Sequence, residues 1–124
     1  MATLRREGGE LVVKLNDLEK LGALHGDVRV PWPAVTGVRV SESPFRELRG
    51  MRAPGTGLPG VIALGTWRGT GGKEFAALYR GGPAVIVTLE SGEWRRLLVS
   101  DQNASALAEE LREDLPEWQA RPPA

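Results

Sequence analysis

The chain has 124 residues, room for one domain with a single core. Its 16 Lys and Arg balance 16 Asp and Glu, so no bulk field draws it to nucleic acid or to an anionic membrane. Cysteine is absent and His25 is the one histidine, which excludes disulfides, thiolate zinc sites, cysteine nucleophiles and any relay needing two imidazoles. No cofactor or metal is expected.

Residues 2–7 and 10–15 alternate apolar and polar about Gly8-Gly9, which predicts a first hairpin. Asn16 or Asp17 can cap a short helix from Leu18 to Leu24, with Leu18, Leu21 and Gly22 as its inward stripe. Val28, Val30 and Trp32 form a short strand that Pro31 and Pro33 interrupt, because proline cannot donate to a ladder. Another strand runs over 36–42. Residues 43–60 then read as a long loop carrying Pro54, Leu58 and Pro59, which either serves a function or covers an open sheet edge.

Downstream, the runs 61–68, 73–80, 84–90 and 94–100 have strand length. Gly69 to Gly72, Gly81-Gly82-Pro83 and Ser91-Gly92 separate them at intervals of about ten residues, the rhythm of an antiparallel meander. Several runs are apolar on both faces, which suits central positions in a covered sheet. Trp32, Trp67 and Trp94, in or beside strands, are expected to pack into the core. The amphipathic segment 104–115 reads as a helix with Asp101 or Asn103 as N-cap, Leu107, Leu111 and Leu115 inward and Pro116 as its stop. Residues 1–115 thus read as one mainly β domain of 7–8 antiparallel strands, a sheet pair or partly open barrel closed by its C-terminal helix; 116–124 read as a flexible tail.

Arg5 and Arg6 arrive before any apolar leader can form. The longest uncharged stretch, 53–67, holds two prolines and four glycines. Neither a signal peptide nor a membrane span is expected, and a cytoplasmic setting follows.

Val30-Pro31-Trp32-Pro33-Ala34-Val35, set before the strand Val38-Arg39-Val40, resembles the bacterial pleckstrin-homology-like domains. The run from Arg49-Gly50-Met51-Arg52 to Leu58-Pro59-Gly60 is similar to a segment in small uncharacterised members from high-GC bacteria, a background that 13 Arg against 3 Lys also suits. The resemblance covers most of residues 8–115. It implies a β-sandwich or split barrel capped by the C-terminal helix, and brings no catalytic residue. Phosphoinositide recognition is not implied: Glu7 and Glu10 interrupt Arg5, Arg6 and Lys14 on the first hairpin, and the terminal helix lacks a tryptophan.

Candidate chemistry is sparse. The segment Gly65 to Glu74 is no phosphate loop, since Trp67 stands where a glycine is required and Glu74 where Ser or Thr should follow Lys73. His25 beside Asp27 could be a general base, but no nucleophile shares a recognisable spacing with it, and a histidine at a helix C-terminus before a glycine cap needs no function. Charge is uneven: between 46 and 73, Arg46, Arg49, Arg52, Arg68 and Lys73 face Glu47 alone, whereas 101–124 hold six carboxylates against Arg112 and Arg121. Those five cations are candidate ligands for a small anion or lipid headgroup, which leaves peripheral membrane contact open. The plainer reading has the acidic helix meet these arginines within the molecule or in a homodimer, or leaves both faces solvated. Trp118 is a candidate partner contact. The reading that follows is a non-catalytic interaction module for a protein or peptide partner.

Overall fold

The structure is a computed structural model that describes residues 1–48 and 51–115, without the side chains of 51–54. It is mainly β. Among the described residues, nine strands form two sheets: β1 (Thr3–Glu7), β2 (Glu10–Lys14) and β3 (Val28–Pro31) make the small one, and β4 (Val35–Ser41), β5 (Met51–Leu58), β6 (Ile62–Gly69), β7 (Gly72–Tyr79), β8 (Ala84–Leu89) and β9 (Trp94–Ser100) the large one. Two helices accompany them, α1 (Asp17–Ala23) and α2 (Ala104–Glu113). The small sheet runs β1-β2-β3 and the large one β4-β8-β9-β7-β6-β5. They share no ladder among the described residues, so the sheets are not closed into a barrel.

The predicted meander is corrected at one place. Gly81-Gly82-Pro83 does not close a hairpin: β8 pairs with β4 and β9, and β9 slots between β8 and β7, running parallel to β7. Four residues, 80–83, connect β7 to β8 across two strand spacings, about 10 Å, which a chain of that length spans easily. The wholly antiparallel expectation therefore fails at the β7–β9 pair, and the strand number exceeds 7–8. The described part of the long loop 43–60 is also structured: a 3-10 turn at Pro44–Glu47, and β5 as an edge strand against β6.

Alternation decides which side each residue faces. On the large sheet Leu64, Phe75, Ala77, Val85, Val87, Leu97 and Val99 point inward, into a core shared with Leu11, Val13, Val28 and Val30 of the small sheet and with Ala108 and Leu111 of α2. Ala63, Trp67, Ala76, Leu78, Ile86 and Leu98 point the other way and build a second apolar cluster, onto which Phe45 and Leu48 fold. Both faces of the central strands are thus buried, as their sequence requires. Trp32, Trp67 and Trp94 are buried as expected.

The helices divide the outcome. In α2 the stripe holds, with Ala104, Ala108, Leu111 and Leu115 buried. In α1 it does not: Leu18 is 80% and Leu21 69% exposed, while Glu19 and Ala23 face inward. Close approach explains the rotation. A Cβ on Gly22 would lie 3.1 Å from Leu64 Cδ2, and the Thr56 hydroxyl donates to the Gly22 carbonyl, so the helix lies too near the sheet for leucines on that side. Asn16 caps it in a reciprocal box with Glu19, and Leu24 itself, not a glycine, takes the left-handed turn at its end.

Candidate functional site

The outer face of the large sheet carries the most distinctive chemistry. Arg39 on β4, Glu74 on β7 and Arg96 on β9 point to it, and the turn 44–47 lays Glu47 among them. Arg96 Nε and Nη2 donate to the two oxygens of Glu74 at 2.6 and 2.9 Å, and Arg96 Nη1 reaches Glu47 Oε1 at 3.3 Å. Arg39 grips Glu47 bidentately, at 2.7 and 3.0 Å, and Arg96 Nη2 also donates to the Glu47 carbonyl. Hydrogen bonding from Arg39, reinforced by its charge, holds the Glu47 carboxyl at about 2, well below its usual range. The same pairing raises the Arg39 guanidinium, against a smaller opposing effect of burial. This four-residue chain pins the segment 44–48 to the sheet, and Phe45 and Leu48 ride with it.

Pinning that segment creates a groove. Phe45 and Leu48 form one wall, Leu58 and Pro59 at the end of β5 the other, and Ile62, Ala63 and Trp67 of β6 the floor; its volume is about 450 Å³. Arg46 is exposed at its edge and is the one charged side chain lining it among the described residues. A second cavity, about 520 Å³ and lined by Glu42, Ser43, Pro44 and Gly81-Gly82-Pro83, shares Phe45, Arg46 and Gly60 with the first. Both volumes lie within the range of ligand clefts. An apolar trough continuous with a polar pocket, with a guanidinium on their common wall, can hold an apolar group and an adjacent anion together.

Of the five cations singled out from the sequence, the three whose side chains are described, Arg46, Arg68 and Lys73, do not converge. Arg68 and Lys73 face each other at the β6–β7 turn, whereas Arg46 lines cavities that reach Gly60 and Gly81 at the opposite end of those strands. Lys73 is engaged: it pairs with Glu93, lowering that carboxyl, and lies 4.7 Å over the Trp94 ring. Arg52 has its backbone opposite Trp67 in β5, its side chain being outside the description. Arg49 and Trp118 lie outside the described residues. Nor does the acidic helix meet these arginines among the described ion pairs. It packs on the inner face, where Asp114 pairs with Arg6 at 3.2 Å and Arg112 donates to the Val38 carbonyl.

His25 is half-buried between Phe75 and Trp94, ring centroids 5.5 and 5.6 Å away, and its Nδ1 donates to the Gly26 carbonyl. Asp27 does not orient it; its carboxylate accepts from the Leu15 amide and lies 4.0 Å from Lys20. Glu19 is a buried carboxylate the sequence reading missed. It takes the Tyr79 hydroxyl, whose pKa rises through burial first and the carboxylate second. The signal was Glu19 itself, three residues after the capping Asn16. Among the described residues, no three or more His, Asp or Glu gather as a metal site, and no helix is long and apolar enough to cross a membrane.

Comparison with known proteins returned no match among family models, curated proteins or solved structures.

Proposed function

We propose that this chain is a non-catalytic interaction module that binds a segment of a peptide or protein partner in the outer-face groove. One observation carries the reading: a solvent-open apolar trough persists on a sheet face that is otherwise sealed by Phe45, Leu48 and an ion-paired chain. Exposed apolar clefts of this size are usually kept for binding. Kinship with the bacterial pleckstrin-homology-like domains and a cytoplasmic setting belong to the same proposal. The kinship rests on the Val30–Val35 sequence, and the scaffold role is argued by analogy.

Selection of random 12-residue peptides against the full chain tests it, with Leu58→Glu as the counter-target. Leu58 is 57% exposed, so the change leaves the fold intact while breaking one wall. Enriched peptides should lose at least tenfold in affinity for the variant. No enrichment, or equal binding to both proteins, contradicts the proposal.

A second reading, a small anion or lipid headgroup, is favoured by the position of Arg46 on the wall shared by both cavities.

A further inference from the structure

We infer that the partner segment is acidic as well as hydrophobic: a bulky apolar side chain enters the trough, and a carboxylate one or two residues away is held by Arg46. This deepens the groove reading and rests on it. The argument starts from charge. Arg39 and Arg96 are both committed to carboxylates on this face, and Glu47, next in sequence to Arg46, is consumed by them: Arg39 holds both of its oxygens and Arg96 Nη1 reaches one of them at 3.3 Å. Among the described residues no carboxylate lies in ion-pair distance of Arg46, although its side chain is exposed at the groove edge. An arginine left over in this way offers a planar fork that matches a carboxylate. Glu42, on the second cavity, opposes a further acidic residue there, so one carboxylate is expected and not a run of them.

The shape selects a peptide. The floor follows β6 from Ile62 to Trp67, about 17 Å at strand rise, the length of four or five extended residues. A membrane surface is disfavoured because adhesion there needs several cations together, each worth about 1 kcal/mol. Among the described side chains, Arg68 and Lys73 sit at the far turn and Lys73 is already paired with Glu93, so neither stands beside Arg46.

The experiment uses fluorescein-labelled, end-capped peptides of eight residues with a central Leu, Phe or Trp, followed at the next or next-but-one position by Glu, Gln or Lys. Anisotropy should give Glu peptides at least tenfold tighter binding than their Lys counterparts. Arg46→Ala should abolish that preference while sparing the Gln peptides, and Arg46→Glu should invert it; the exposed position makes both variants foldable, which circular dichroism verifies. Equal affinity for Glu and Lys peptides, with Gln-peptide binding still lost in Leu58→Glu, overturns the charge inference and leaves the groove reading standing. Absence of binding by every peptide overturns both. Binding to vesicles of 30% anionic phospholipid that depends on Arg46 and is not displaced by the Glu peptides overturns the inference in favour of a lipid surface.

Discussion

Glu74 and Arg96 are register partners across the parallel β7–β9 ladder, and their side chains close a bidentate pair with each side chain only 7% exposed. Among the described strands this is the parallel junction of an otherwise antiparallel sheet, and the pair ties it through side chains as well as backbone. Removing one partner strands a buried charge, so Glu74→Ala is expected to cost about 3–5 kcal/mol. The double replacement Glu74→Leu with Arg96→Met, which substitutes apolar contact for the pair, should come within about 1–2 kcal/mol of wild type. Urea unfolding of the two variants checks both.

Glu47 links stability to acid. Its carboxyl sits at about 2 in the folded chain against an ordinary 4.5. As pH falls, the unfolded chain takes up the proton first. The stability this carboxylate contributes is therefore complete above about pH 4.5 and lost as pH drops through about 2. Thermal melts should show wild type losing more stability than Glu47→Gln between about pH 5 and pH 2.5, while the variant is weaker by roughly 1–3 kcal/mol at neutral pH. Parallel pH profiles would contradict the assignment.

Gly55 holds the edge strand to its neighbour. With φ at 142° and a hypothetical Cβ 2.3 Å from the Leu64 carbonyl oxygen, no side chain fits without parting β5 from β6. Gly55→Ala should cost roughly 2–3 kcal/mol, on the order of a strained backbone plus a clash. Because β5 supplies a groove wall, peptide affinity should fall with it. Chemical denaturation and anisotropy on the same protein measure the two losses.

On α1 the expected pattern is unusual for a helix that lies on a sheet. Leu18→Gln and Leu21→Gln should each change stability by less than about 0.5 kcal/mol, as exposed sites do, whereas Ala23→Leu should overpack the core by about 1–3 kcal/mol. Melting temperatures of the three variants decide the matter.

How far these features could be read from residues depends on the range of the physics involved. The strands other than β5, the Asn16 cap and the α2 stripe follow from neighbours a few positions apart, and these are found. The position of β9 is a long-range choice: turn glycines at Gly81-Gly82 permit a hairpin or a skipped slot equally, and the contacts that distinguish them, the Glu74–Arg96 pair among them, join residues far apart in sequence. A trace was present, since one acid and one arginine stood on strand faces otherwise made of Ala76, Leu78 and Leu98. The turn of α1 away from its leucines depended on backbone proximity at Gly22, which no periodicity encodes. Arg46 was among the candidate residues, but its separation from Arg68 and Lys73 arises from strand length, and the groove beside it exists because the predicted loop folds as a turn and an edge strand.

The most direct test is a ¹H–¹⁵N NMR titration of the full chain with the Leu–Glu peptide. The account predicts shift changes concentrated at Phe45 to Leu48 and along Gly57 to Trp67, at the rim and floor of the trough. Changes gathered instead on the β1–β2 hairpin or on α2, or a spectrum unmoved by millimolar peptide, would contradict it.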